Sequence, residues 1–519
     1  MIRTFAAVNV GSFEIELGIY ELSDKVGVRQ IDHVKHITRL GRDAFQDNRI
    51  SYPQVEELCE NLEEFARIAK GYQTAELRAY ATSALREAEN RQIVIEQVRV
   101  RTGITIRVLS NSEQRFLSYK AIAAHDADFQ KAIQKGTAIV DIGFGSMQVS
   151  LFDKDALVST QNLPLGVLKL REMVFEAQVS QETAQDVIAE MVDNEMVTFR
   201  KMYLKDRGIP SLIGIGETIL TLYFHVHSGA GSGRITLEEF QNSFDRLSRM
   251  TRDQIEEEFE VNAGYADLLF PTAVILKRML EMTGAQTIWM PGTSMTDAIA
   301  AEYAEEKRLL KFNHNFDNDI IAASRNMAKR YKCHMAHIQA VEAAALTVFD
   351  SLKKYHGMKE RERLLLQIAA NLHSCGKFVT MRDPTDCAYN IIMATEIIGL
   401  SHAQREIVAN VVRYNIQKFR YDDTRFEAQA SPGSRLVDPA NLPLLVAKLV
   451  AILRLANSMD RGHKAKLADC RVTVKGNRML ITTGYEGDVT LERLAIGRTA
   501  DFFEEIFGIR PELRQKKKV

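Results

Sequence analysis

The run Phe5-Ala-Ala-Val-Asn-Val-Gly-Ser12 returns 132 positions later within Gly136-Thr-Ala-Ile-Val-Asp-Ile-Gly-Phe-Gly-Ser146. In each copy an apolar, β-branched run ends on a short polar residue, Asn9 or Asp141, and a turn containing Gly and Ser follows. An alternating stretch then leaves the turn, Glu14 to Tyr20 in one copy and Met147 to Phe152 in the other. Strand, glycine turn and strand, twice over, predict two duplicated α/β halves. The length of 519 residues leaves room for both halves and for more beyond them.

Between the copies, Ser51 and Pro53 open a helix that runs to Tyr72, with Val55, Leu58, Leu62, Phe65 and Ile68 on one face. A strand at 77–80, a polar turn at Thr82-Ser83, a helix over 84–102, a strand at 105–109 and a helix over 112–124 follow. This alternation marks an α/β domain, and it places the halves at 1–130 and 131–312. The second half continues through a helix over 181–206, a strand at 211–214, a Gly/Ser-rich loop at 228–233, helices to 283, a strand at 287–290 and a helix to 310.

Beyond residue 315 the strand signal nearly vanishes, and amphipathic helices follow one another with breaks at 356–357, 382–384 and 431–433. These features predict an all-helical domain over 313–465. A small end at 466–519 carries a hairpin around Lys475-Gly476-Asn477, a helix over 500–507 and a basic tail at 516–519.

Sixty-seven Lys and Arg balance 68 Asp and Glu, so no global field draws nucleic acid or an anionic membrane. A polyanionic ligand needs a local basic pocket. The five cysteines are scattered and contain no CxxC pair, as expected of reduced thiols. The N-terminus lacks an apolar targeting segment, and the most apolar stretch, 442–456, carries Lys448 and Arg454. The expectation is a cytoplasmic protein with no membrane span.

Two strand-turn-strand loops that face each other offer backbone N–H groups, from Gly11-Ser12 and from Gly143 to Ser146, to phosphate oxygens. Phosphate chemistry also calls for a metal held by carboxylates and for a base that orients water. Asp141 is the best-placed carboxylate for a metal; it reads equally as a turn aspartate that satisfies its own backbone.

Three segments carry a family likeness: Ala81-Thr-Ser-Ala-Leu-Arg-Glu-Ala-Glu-Asn90, Val140-Asp-Ile-Gly-Phe-Gly-Ser146 and Gly166-Val-Leu-Lys-Leu-Arg-Glu172. Through them the chain resembles the exopolyphosphatase/guanosine pentaphosphate phosphohydrolase (Ppx/GppA) family over nearly its whole length. The resemblance implies duplicated ribonuclease H-like halves of the actin-like ATPase superfamily followed by an HD-like helical domain. It implies Mg²⁺-dependent release of terminal phosphate from inorganic polyphosphate or guanosine pentaphosphate, by a homodimer. It casts Arg86 as a phosphate-binding fork, Thr82, Ser83, Gly11, Ser12, Gly143, Gly145 and Ser146 as loop donors, and Asp141 as the Mg²⁺-associated carboxylate. Gly216, in Gly214-Ile-Gly-Glu-Thr218, falls in a family Gly-Gly-Thr phosphate loop whose second glycine is here Glu217.

The departures bear on catalysis. The family's aspartate-x-glycine-serine-asparagine-serine reads Asn9-Val10-Gly11-Ser12-Phe13-Glu14, and its glycine-glycine-glycine-serine-threonine-glutamate reads Gly143-Phe144-Gly145-Ser146-Met147-Gln148. The position of its catalytic glutamate is Gln114, preceded by Glu113. Three carboxylates are thus amides, which keep the shape but accept no proton at neutral pH. Hydrolysis survives if Glu113 takes the base position by a one-residue slip, or if Glu14 or Glu217 enters the cleft. The leading expectation is a hydrolase; the alternative is a catalytically weak or inactive family member that binds polyphosphate or alarmone nucleotides as a sensor. A sugar kinase or chaperone-type ATPase is disfavoured by the Arg86 motif.

In the helical domain His337, His373 and Asp460 resemble an HD-type scaffold whose histidine-aspartate doublet is His373-Ser374 and whose later histidines are Asp386 and Asn415. His373 is therefore expected to be a core histidine satisfied by hydrogen bonds. Arg382, Arg413, Lys418 and Arg420 read as an anion channel or as a solvated face.

Overall fold

A computed structural model of the chain describes residues 3–23, 27–125, 129–154, 156–178, 180–204, 207–226, 233–422 and 441–516. The expected loop at 228–232, the break at 431–433 and the tail at 517–519 lie outside the described residues. The chain forms two compact units, 1–315 and 316–519.

In the first unit β1 (Arg3–Val10), β2 (Glu14–Ser23), β3 (Gly27–Ile37), β4 (Glu76–Ala81) and β5 (Ile106–Val108) form a sheet in the order β3-β2-β1-β4-β5. A second sheet holds β6 (Thr137–Ile142), β7 (Met147–Asp153), β8 (Ala156–Leu163), β9 (Ser211–Ile215), β10 (Arg234–Thr236) and β11 (Thr287–Trp289). Its order, β8-β7-β6-β9-β11, repeats the first, with β10 added antiparallel at the edge. The repetition extends to defects: the β2–β3 ladder slips between Ile19 and Tyr20, and the β7–β8 ladder between Leu151 and Phe152, 132 positions on. The halves are duplicated, as the internal echo predicts, and ribonuclease H-like, as the resemblance implies.

Both faces of β1 are buried, because side chains alternate across a strand and helices cover each side. Ala6, Val8 and Val10 share a core with Val55, Leu58, Leu62 and Phe65 of helix Tyr52–Gly71 and with Val94, Ile95 and Val98 of helix Arg91–Thr102. Phe5 and Ala7 share the opposite core with Leu117 and Ala121 of helix Asn111–His125 and with Ala298, Ile299, Ala300, Tyr303 and Ala304 of helix Met295–Glu306. The last of these helices closes the second half in sequence but packs on the first half's sheet. Residues 131–312 are therefore not one spatial unit. Phe5 and Tyr303 stack at 4.1 Å, and Tyr20 Oη donates to Asp297 at 2.8 Å.

Three local expectations change. The helix expected over 84–102 is two helices, Ser83–Glu87 and Arg91–Thr102, because Ala88 turns extended. Each half also has a third strand, β3 or β8, that the sequence reading lacks. In the second unit helix Thr490–Phe507 starts well before residue 500, and β14 (Arg510–Gln515) pairs parallel to β13 (Arg478–Thr483), which forms a hairpin with β12 (Arg471–Lys475). Pro511, within β14, is what hides this edge strand from a sequence reading.

In that second, largely helical unit the apolar helix Leu442–Met459 packs among helices Met335–Ser351, Glu360–Leu372, His402–Arg413 and Thr490–Phe507. Its two cations end on carbonyls: Lys448 Nζ donates to His356 O at 2.9 Å and Arg454 Nε to Tyr414 O at 2.9 Å. Its apolarity is thus that of a core helix.

Truncating Tyr303 should open a cavity between the returning helix and β1. Tyr303→Ala is expected to destabilise the first unit by about 3–5 kcal/mol, the usual cost of deleting a large buried ring, measured by urea unfolding monitored through Trp289, which is buried in that unit.

Candidate functional site

The loops after β1 and β6 meet. Gly11 N donates to Glu14 O at 2.9 Å in the first, and Gly143 N to Ser146 O at 3.0 Å in the second, so both turns are closed the same way. Ser12 Oγ lies 2.8 Å from Ser83 Oγ and accepts from Ala84 N at 3.1 Å, which ties the first loop to the Thr82-Ser83 turn. A Cβ on Gly145 would lie 2.5 Å from Phe45 Cζ and 3.2 Å from Ser83 Cβ, so the second loop packs directly on the same turn. Gly216, at φ +133°, abuts Ile142 O, where a Cβ would come within 2.4 Å, and so brings the third glycine loop alongside. Phe13 and Phe144 face each other across the loops with ring centroids 5.3 Å apart, and Phe13 reaches Tyr265 at 5.9 Å. The glycines and serines singled out in the sequence therefore share one locus, largely buried.

Arg86 stands half-buried beside it, donating to Leu109 O at 2.9 Å and to Gln114 Oε1 at 3.3 Å. The residue facing this guanidinium is the amide Gln114. Glu113 points elsewhere: it pairs with Arg107 and accepts from Ser110 N at 3.0 Å and Ser110 Oγ at 2.9 Å. Glu113 thus serves its own helix start as a capping residue, engaged with Arg107 and Ser110, while Gln114 is the one that bonds Arg86.

Asp141, 8% exposed, has its carboxyl pushed up to about 6 by burial, against the opposing pull of Arg115. Arg115 is fully buried; from the helix after Gln114 it donates through Nε to Gln148 Oε1 at 2.7 Å and through Nη1 to Thr160. It crosses from the first half into the second sheet. Nothing in the reading of the motifs singled out this arginine, because its partners come from a different half.

A second charged group is only partly legible in the motifs. Asn9, Glu16 and Lys35 stand opposite one another on β1, β2 and β3, and Glu14 lies two residues before Glu16 on the same face. Glu217 arrives from the second half, after Gly216. Oxygens of Glu14, Glu16 and Glu217 lie within 4.8 Å of one another, and Lys35 Nζ lies 3.3, 3.2 and 3.2 Å from them. Asn9 Nδ2 donates to Glu16 Oε2 at 3.1 Å. Burial, reinforced by the charges of Glu217 and Glu16, pushes Glu14 up to about 8. Glu217 is raised by burial and then by Glu16. Glu16 is lowered, because His33, Lys35 and Asn9 outweigh its burial.

These donors decide what a hard dication would meet. Mg²⁺ requires several oxygen ligands in near-octahedral order. At the second loop it would find one carboxylate, Asp141, and an amide oxygen already held by a buried guanidinium. At the three glutamates the oxygens suffice in number, but an ammonium sits at their centre. Neither set as arranged suits the Mg²⁺ that the resemblance implies.

In the helical unit His373 Nδ1 pairs with Ala370 O at 2.7 Å, and burial pushes its pKa down to about 3. Its Nε2 lies 3.3 Å from Nε2 of His337, whose Nδ1 pairs with Asp460 at 2.8 Å. Arg413 is tied to Asp386 at 2.6 Å and Arg420 to Asp422 at 3.5 Å, so these two cations answer local carboxylates rather than line a channel.

Glu14 carries a pH signature. A carboxyl raised from its ordinary 4.5 to about 8 favours the fold below the lower value, and that contribution is lost as pH rises through the higher. Glu14→Gln, a mimic of the protonated form, should flatten this dependence, giving a smaller fall in Tm than wild type between about pH 5 and about pH 9. Calorimetry at the two values checks it.

The profile of the Ppx/GppA phosphatase family matches residues 19–296, and that of the family's domain III matches residues 321–491. A guanosine-5'-triphosphate,3'-diphosphate pyrophosphatase of Vibrio atlanticus is 20% identical over 482 residues, covering 92% of this chain and 91% of that protein. Its counterpart from Photobacterium profundum is 20% identical over 463 residues, covering 87% and 86%. Among solved structures, an Aquifex aeolicus Ppx/GppA family member superposes with a TM-score of 0.50 at 19% identity, covering 61% of this chain and all of that one. A Cytophaga hutchinsonii exopolyphosphatase superposes with a TM-score of 0.51 at 17% identity, covering 59% and 98%. With the duplicated halves, the converging glycine loops and a family profile over more than half its length, the chain belongs to the Ppx/GppA phosphatase family.

Proposed function

We propose that this chain recognises the terminal phosphoanhydride of inorganic polyphosphate or of a guanosine pentaphosphate-type nucleotide, and that it retains such a chain better than it cleaves it. The observation that carries this reading is the contact between Arg86 and Gln114. A guanidinium fork suited to anhydride oxygens stands beside the position where the resemblance expects a catalytic carboxylate, and that position holds an amide. Loss of general-base catalysis alone costs about a hundred- to ten-thousand-fold. Phosphate oxygens would be taken by Arg86 and by the loop amides around Gly11, Gly143, Gly145 and Gly216. The rings of Phe13 and Phe144 would part to admit them.

A second reading, retained hydrolysis, draws on one specific feature. Glu14 and Glu217 stand next to the glycine loops, and Glu14 has a pKa near the working range of a base. In that case phosphate release should rise with alkaline pH and be abolished by Glu14→Gln.

Phosphate release from long-chain polyphosphate and from guanosine pentaphosphate, assayed beside direct binding of both, separates the two. On the favoured reading wild type binds but turns over slowly. Gln114→Glu should gain at least about tenfold in rate, and Arg86→Ala should lose about tenfold or more in affinity, the scale of a charge-assisted hydrogen bond. Wild-type turnover that Gln114→Glu leaves unchanged would overturn it.

A further inference from the structure

Four carboxylates, Glu14, Glu16, Glu217 and Asp141, are drawn into the cleft region from both halves; Lys35 stands among the three glutamates, and Arg115, bonded to Asp141's ladder partner Gln148, pulls on Asp141. We infer that Lys35 and Arg115 are built-in counter-cations standing in for a divalent metal, so that this protein takes no divalent ion of its own in the cleft. The inference deepens the functional reading of the same cleft, and it rests on that reading only for what the cleft does with a phosphate chain.

The geometry of Lys35 resembles that of a bound ion. Its Nζ is within 3.2–3.3 Å of an oxygen on each of three glutamates, two from the first half and one from the second. Strand register puts it there: Lys35 is the ladder partner of Glu16, and Glu14 is one side-chain repeat away on the same face. Glu14 and Glu16 are nearly inaccessible, at 3% and 1% side-chain exposure, so their charges need an immediate partner. Although its own burial opposes the charged form, the three glutamates hold Lys35 well above the usual lysine range. An incoming dication would have to displace the ammonium and shed its own water.

The two halves reach the same neutralisation by opposite routes. Across the first sheet the row reads Asn9, Glu16, Lys35, and across the second Asp141, Gln148, Asn162. The first two members of each row pair one carboxylate with one amide, in reversed order. In the first row the cation is the third member; in the second it is Arg115, supplied by a helix of the first half.

Removing the ammonium should reveal the site it fills. Oxygens within 4.8 Å of one another lie no farther apart than opposite ligands about an ion with bonds of about 2.4 Å. Mn²⁺ binding to the full chain, followed by electron paramagnetic resonance, is the probe, with Ca²⁺ by calorimetry as a second. Wild type is expected to show no cleft-bound Mn²⁺. Lys35→Met, which keeps the stem and removes the charge, should bind one Mn²⁺ per chain at least tenfold more tightly, and Lys35→Met/Glu217→Gln should lose it. Polyphosphate binding by wild type should be the same in EDTA as in Mg²⁺. Stoichiometric Mn²⁺ on wild type that Glu217→Gln or Asp141→Asn removes would overturn the inference, and so would a folded Lys35→Met with no gain. If Lys35→Met does not fold, the wild-type titration with those two single variants decides. Failure of wild type to bind any phosphate chain would count against the functional reading and leave the metal result standing.

Discussion

Gly145 lies against Phe45 and Ser83 with no room for a Cβ, and the rest of the cleft follows from that contact. Because the second loop has no side chain there, the two halves approach until Gly145 rests on the Ser83 turn and Phe13 meets Phe144. The same approach brings Glu217 to the glutamates of β2 and lets Arg115 cross to Gln148. A methyl group at residue 145 would force Phe45 or the Ser83 turn to move, and these bonds made between halves, Lys35 to Glu217 and Arg115 to Gln148, would be the first to lengthen.

Closure at such distances removes water, and a low-dielectric site cannot keep uncompensated carboxylates. Each acid has therefore either found a cation or lost part of its charge. Glu16 is held ionised by Lys35, His33 and Asn9, while Glu14, with the same lysine in reach, is pushed toward its neutral form. One lysine does not compensate three glutamates, and the surplus appears as a raised proton affinity. The amides Asn9, Gln114 and Gln148 fit the same economy of charge, since further carboxylates here would need further cations.

The Ppx/GppA scaffold is thereby preserved, while three positions where the resemblance expects carboxylates hold amides. The loops, the helix that opens at Ser83 and the guanidinium of Arg86 are geometric features, and small replacements leave them in place. Proton transfer and metal ligation depend on single oxygen atoms, and substitution of an amide for a carboxylate is sufficient to redirect them.

Much of this was readable from the chain. The echo between Asn9 and Asp141 determined the duplicated halves, because glycine turns between strands have a local signature that survives without a partner. The glycine and serine residues of the loops, and Arg86 in its motif, could be named for the same reason. Tertiary structure decided the rest. Glu113 was a base candidate until its partners, Arg107 and Ser110, were seen to hold it at a helix start. Helix Met295–Glu306 reads as the end of the second half, and only packing assigns its face to β1. Lys35 and Arg115 carry no motif at all. A charge acquires its role from the charges that face it, and strands and helices far apart in sequence supply those here, so spacing along the chain holds no record of the pairing.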